Sequence, residues 1–289
     1  MNKHQYLITD NFIFCILSED KNFFYGEILY GIKKVKNVKK MQLKGLEYYK
    51  YWDLANRKKG GNYKIYFKKV KKLYPHESFN HPLIGKLFRF DKTRKYVLLP
   101  LKNSSSLNIK LKNELNGLLG IDSFYIGGSH LLEISNKNDL DIIIKGINKN
   151  KKVSKELLEI IKKKEYALKE SNSLNRRRFR LLNNTIICPF GISRKDNIFE
   201  KNFIKKIGKK RISAKVVDNS LSLLSPAVYK LNVNGRESYL ISYYVGHNHL
   251  LNLGENIKFT ASLCLFKQRK IPLAYVIPIQ GSWIDILSP

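Results

Sequence analysis

The run Ile126-Gly127-Gly128-Ser129 is followed, after the nine residues His130 to Asn138, by Asp139-Leu140-Asp141-Ile142-Ile143-Ile144. A Gly-Gly-Ser turn lets backbone N–H groups approach a phosphate chain closely, because glycine carries no Cβ and adopts dihedrals that other residues avoid. Two carboxylates at i and i+2 on a strand share a face. Asp139 and Asp141 therefore offer hard oxygen ligands together, while Leu140 and Ile142 face the other way. Such a pair suits magnesium or manganese, and it is the ligand geometry that two-metal phosphoryl transfer requires. An Asp-x-Asp alone is ordinary solvent-facing alternation; the glycine turn just upstream makes it a candidate site.

The elements needed to hold these residues are legible around them. Ser104-Ser105-Ser106 precedes a stretch in which Leu107, Leu111, Leu115, Leu118 and Leu119 recur at helical spacing until Gly120, which predicts an amphipathic helix. Phe124-Tyr125-Ile126 reads as a strand, a short helix starts at Ser129, the acidic strand ends at Gly146, and Lys151 to Leu168 forms a second amphipathic helix. Asn184 to Phe190 is a further strand.

Residues 126 to 144 resemble the signature of the DNA polymerase beta-like nucleotidyltransferase superfamily: a hydrophobic residue, Gly-Gly or Gly-Ser, a gap of roughly ten residues, then Asp-x-Asp or Asp-x-Glu on a hydrophobic strand. The resemblance implies that Gly127, Gly128 and Ser129 bind the phosphates of an NTP and that Asp139 and Asp141 are catalytic and bind Mg2+ or Mn2+. It also implies a third carboxylate on a later strand, and the candidate strand Asn184 to Phe190 contains none. Asp196 and Glu200 follow it and are the acids that could reach back; without them the chain would be slow, dependent on substrate assistance, or inactive. Between helix and strand lies Asn175-Arg176-Arg177-Arg178-Phe179-Arg180, a set of guanidiniums suited to phosphate oxygens. Of these, Arg178 is the candidate nucleotide-binding residue.

The flanks are basic. The 54 Lys and Arg against 23 Asp and Glu give a net charge of +31, with 23 against 8 in residues 1 to 106, 20 against 11 in residues 107 to 205, and 11 against 4 in residues 206 to 289. Upstream, alternation over residues 6 to 30 predicts a β-hairpin, and Asn62 to Val70 and Tyr96 to Leu99 read as further strands. Basic clusters at Lys33 to Lys40 and Arg57 to Lys72 are interleaved with Tyr48, Tyr49, Tyr51, Trp52, Tyr63, Tyr66 and Phe67. Lysines with exposed aromatics would suit a phosphate backbone and unstacked bases; lysines over an aromatic core would be a solvated face, and AT-rich codon usage raises lysine as well. Downstream of Lys209, short alternating strands punctuated by Gly235, Gly246 and Gly254 predict a small β-barrel; the runs Lys215 to Ser220 and Leu224 to Tyr229, with Gly246 and Gly254-Glu255, resemble the tail of predicted archaeal-type nucleotidyltransferases with flanking β-rich segments.

Three cysteines, Cys15, Cys188 and Cys264, are too far apart for a zinc motif or a disulfide framework, and no apolar run reaches the length of a membrane span. His247-x-His249 reads as a surface pair. The expected protein is an α+β chain in three segments: a basic mainly-β module over residues 1–103, a nucleotidyltransferase-type αβ core over 104–205, and a small β-barrel-like C-terminal module over 206–289. It is expected in the cytoplasm, away from membranes, with its oligomeric state open. The expected activity is transfer of NMP from an NTP to an acceptor hydroxyl, with nucleic acid as partner and an RNA end favoured. The alternatives are a nucleic-acid-binding module on an inactive nucleotidyltransferase fold, and an antitoxin-like enzyme that modifies a protein.

Overall fold

The computed structural model describes residues 3–43, 45–55, 62–132, 139–163, 165–168, 178–181, 183–192, 198–268, 270–281 and 284–287, without the side chains of Ser129 and Val245. It is a mixed α+β structure, about 23% helix and 47% strand, so sheets form the framework. No helix among the described residues is long and apolar enough to cross a membrane. The chain divides into two compact units, one made of Met1–Leu101 with Leu131–Ile134, the other of Lys102–His130 with Ser135–Pro289.

The first unit contains β1 (Tyr6–Ile8), β2 (Phe12–Glu19), β3 (Phe23–Gly31), β4 (Lys40–Leu43), β5 (Leu46–Lys50), α1 (Tyr63–Leu73), β6 (Ser78–His81), β7 (Gly85–Asp91) and β8 (Val97–Leu99). They form one antiparallel sheet in the order β4-β5-β3-β2-β1-β8, with β7 also on β3 and β6 on β7. The hairpin expected over residues 6 to 30 is present. The strand expected from Asn62 is instead α1: the alternation of Tyr63, Ile65 and Phe67 is incidental, whereas Tyr63, Tyr66 and Val70 are buried at helical spacing. Asn62 caps this helix, its side chain accepting from the Ile65 N–H. Tyr48, Tyr49, Tyr51, Tyr63 and Tyr66 are core residues rather than exposed platforms, because the hydroxyls of Tyr51, Tyr63 and Tyr66 find backbone carbonyls inside the unit.

The second unit begins with β9 (Lys102–Asn103), α2 (Ile109–Leu119), β10 (Tyr125–Ile126), β11 (Asp139–Lys145), α3 (Ile147–Lys162), β12 (Phe179–Arg180) and β13 (Ile186–Ile192). Their sheet runs β12-β13-β11-β10-β9, with β11 and β13 parallel and the other pairs antiparallel. Leu115 and Leu119 of α2 and Val153, Leu157 and Ile160 of α3 pack into one core with Leu140, Ile142 and Ile144 of β11. Helix α2 ends where Gly120 enters the left-handed region at φ 61.

A short helix α4 (Ile198–Asn202) leads into β14 (Phe203–Leu221), β15 (Ala227–Val233), β16 (Arg236–Ser242), β17 (Asn256–Phe266), β18 (Leu273–Ile277) and β19 (Ile284–Leu287). The pairing closes on itself in the order β14-β15-β16-β18-β17 and back to β14, with β19 added to β17. Every pair is antiparallel except β16 with β18. This five-stranded ring, with its third and fifth strands parallel, has the connectivity of OB-type barrels. The β15–β16 turn is Asn234-Gly235, both at positive φ, as a tight two-residue hairpin requires. His247 and His249, expected at the surface, are buried: Nδ1 of His247 bonds Ser242 Oγ at 2.8 Å, and Nδ1 of His249 lies 3.1 Å from Ser154 Oγ of α3.

Candidate active site

Strand β10 lies antiparallel to β11, with Ile126 opposite Ile142, so the chain leaving β10 enters the glycine turn beside the start of the acidic strand. The Gly127 N–H donates to the Asp141 carbonyl at 2.9 Å and straps the turn down. Gly128 follows in the left-handed region at φ 63 and opens a 3-10 turn over Gly128–Leu132. A Cβ at Gly128 would fall 1.8 Å from Asp141 Oδ2 and 2.7 Å from its Cγ. Glycine is thus required here twice, by dihedral and by space. Two residues on, His130 Nε2 lies 2.9 Å from the Asp139 carbonyl. The turn and the acidic pair that the sequence placed thirteen residues apart, Gly128 and Asp141, are in direct contact.

On β11 the alternation is as expected. Asp139 and Asp141 are half-buried, and Leu140 and Ile142 are buried in the core beneath. The far end of the strand is fixed by Asn150 of α3, whose fully buried amide donates to the carbonyls of Ile144 at 2.9 Å and Gly146 at 2.8 Å. Gly191 of β13 leaves room for the same side chain, since a Cβ there would sit 1.9 Å from Asn150 Oδ1.

The parallel register of β11 and β13 sets Asp139 beside Ile186 and Asp141 beside Cys188. Strand β12 pairs Phe179 with Ile187, which carries the preceding residue, Arg178, to Cys188. The Arg178 Nε donates to Cys188 Sγ at 2.8 Å. Burial alone would lower the pKa of this guanidinium, but Cys188, Asp139 and Asp141 together outweigh it and raise the pKa above its ordinary value. Arg178, Cys188 and the acidic pair thus share one face, and a fixed positive charge stands beside two carboxylates.

Of the two acids that could have completed the site, Glu200 of α4 is turned elsewhere: its carboxylate lies near the buried Tyr243 hydroxyl, whose pKa is raised well above its ordinary value by burial and then by that charge. Asp196, Arg176 and Arg177 lie outside the described residues, as do the side chain of Ser129 and residues 133–138 of the connecting loop. No cluster of three or more His, Cys, Asp or Glu able to hold a metal occurs among the described residues. The donors present, two half-buried carboxylates on one face of β11, one of them seated against the glycine turn, fit a hard divalent cation that completes its shell with water and substrate oxygens. The partner missed from sequence is Cys188. Its signal was parallel alternation one strand over, legible only once the register was known. Comparison of the chain with family models, curated proteins and solved structures finds no match.

Proposed function

We propose that the chain is a metal-dependent nucleotidyltransferase that transfers NMP from an NTP to an acceptor hydroxyl, with a single-stranded RNA end as the favoured acceptor. The observation that carries this is the seating of Gly128 against Asp141, which makes a phosphate-cradling turn and a pair of hard ligands a single site. Gly127 holds the turn to the acidic strand, Gly128 and Ser129 present backbone to the β- and γ-phosphates, and Arg178 supplies fixed positive charge beside the pair. Asp139 and Asp141 would hold magnesium or manganese, which supplies Lewis-acid charge to the phosphate oxygens when bound. The acceptor oxygen forms a bond to the α-phosphorus, the bond from that phosphorus to the bridging oxygen breaks, pyrophosphate leaves, and the hydroxyl proton passes to solvent.

Incubation of the chain with each α-labelled NTP, magnesium or manganese, and RNA tests this directly. Label on the RNA that is lost in Asp141→Asn supports it. Absence of label on RNA, on protein and on free nucleotides with every NTP and both metals refutes it. A second reading, a nucleic-acid-binding module on a site without turnover, is favoured by one observation: the positions beside the aspartates on β13 are Ile186 and Cys188 rather than an acid.

A further inference from the structure

In OB-type barrels ligands lie across the second and third strands. Here that outer surface is covered at one end, where Val228 of β15 and Ile241 of β16 alternate away from the barrel interior and are nevertheless 6% and 0% exposed, and at its open end Lys230 is neutralised by Glu237. The more cationic open surface is on the ribbon formed by β14 and β17. Ile212, Ala214 and Val216 of β14 and Ile257, Phe259 and Ala261 of β17 fill the barrel, so their neighbours point outward in cross-strand pairs: Lys209 with Ser262, Arg211 with Thr260, Ser213 with Lys258, and Lys215 with Asn256. Cations and short polar groups alternate along this face at i, i+2 steps of about 6.8 Å, a spacing comparable to that of successive phosphates in an extended single strand.

The flanking residues add to it. Lys205, Lys206 and Lys210 are exposed at the start of β14, with Ile204 and Ile207 exposed at its two bulges. The acids of the barrel are engaged elsewhere, with one exception. Glu237 pairs with Lys230, Glu255 bonds Asn252, and Asp218 bonds the Ser220 N–H, which leaves Asp285 of β19, opposite Lys258 at one end of the ribbon. Lysines also protect sheet edges from other strands, and β15 reaches β14 only from Lys215 onward. Edge protection does not require the row of short polar groups that lies across the paired strands.

We propose that the outward face of the β14–β17 ribbon binds the backbone of an extended single-stranded nucleic acid along Lys209, Arg211, Lys215 and Lys258. It rests on the nucleotidyltransferase reading only in making the bound strand the acceptor. The test is fluorescence anisotropy of the full chain with labelled oligo(U) and oligo(dT) of about 12 nucleotides, within the usual site size of a single barrel, over a range of salt. Arg211→Glu with Lys215→Glu is compared with Lys68→Glu with Lys72→Glu on α1, which makes the same charge change in the other unit. The ribbon variant should lose about tenfold or more in affinity at low salt, and its log affinity against log salt should flatten by roughly 0.7 per lost contact; the α1 variant should change less than about threefold. Arg211→Gln with Lys215→Gln serves if charge reversal prevents folding, which thermal unfolding reports. Wild-type affinity in the ribbon variant, equal losses in both variants, or equally tight binding of duplex of the same length overturns the proposal. A chain that binds strands through the ribbon yet transfers no NMP refutes the catalytic reading alone. A chain that labels RNA while the ribbon variant binds normally refutes this one alone.

Discussion

Glu27 of β3 is 5% exposed, faces Tyr63 and Tyr66, and has an Oε1 without a hydrogen-bond partner among the described residues. Burial pushes its carboxyl from 4.5 up to about 8, against a smaller lowering by the Tyr63 hydroxyl. That hydroxyl donates to the Lys86 carbonyl at 3.0 Å, so a protonated Glu27 can donate to it in turn, whereas an ionised one competes for its single hydrogen. Below pH 4.5 folded and unfolded chains both hold the proton and the stabilisation is complete. Between 4.5 and about 8 the unfolded chain has released it and the fold has not, so stability falls by ~1.4 kcal/mol per pH unit; above about 8 the slope vanishes. The span sets a ceiling of about 5 kcal/mol, large against the stability of one unit. Glu27→Gln keeps a donor for Tyr63 and cannot ionise. The variant should match wild type within about 1 kcal/mol near pH 4.5 and exceed it by several kcal/mol near pH 8. Urea unfolding followed by Trp52, which packs on Tyr63 and Tyr66, reads this unit once Trp283 is replaced by Phe. Parallel pH profiles for the two proteins would refute the reasoning.

Gly128→Ala should abolish NMP transfer, because the added methyl meets Asp141 Oδ2 and left-handed backbone costs a further 1–2 kcal/mol or so; transfer at the wild-type rate would sink the cradle. Asp139→Asn and Asp141→Asn should each remove transfer while the thermal midpoint moves by no more than a few degrees, and full activity in both would remove the metal assignment. Cys188→Asp places an acid beside Asp141 in register and next to Arg178, so it should tighten magnesium binding about tenfold by calorimetry; unchanged or weaker binding would show that this position does not face the cation.

Where chemistry forces local geometry, the sequence was readable. The glycine turn, the acidic strand and the helix ended by Gly120 follow from residue types a few positions apart, whereas the short strands expected after Lys209 include one of 19 residues that begins at Phe203. What depended on pairing was not. Cys188 acquires Arg178 and Asp141 as neighbours only through the register of three strands, and His249 meets Ser154 of α3 across 95 residues. Helix α1 is hidden in the sequence because Tyr63, Ile65 and Phe67 mimic a two-residue period, whereas the residues it buries, Tyr63, Tyr66 and Val70, follow the helical one. The tyrosines beside the lysines were ambiguous for a different reason: composition does not say whether an aromatic ring faces base or core, and here the hydroxyls found carbonyls inside the fold.

Leu131 and Leu132 follow directly on the glycine turn, yet they are buried with Tyr6, Ile13, Tyr30 and Tyr48 in the core of the first unit. The peptide therefore threads out of one unit into the other between the two halves of the motif. Dissection of this gene between residues 101 and 102 would part that thread from the core it belongs to. A fragment starting at Lys102 would carry two bare leucines immediately after the glycine turn, and its inactivity would say nothing about the aspartates. The converse fragment, residues 1 to 101, would fold around a hole where those leucines belong and could be rescued by supplying the missing stretch as a peptide. Function in this chain has to be mapped by point substitutions, because its modules are not consecutive in the gene.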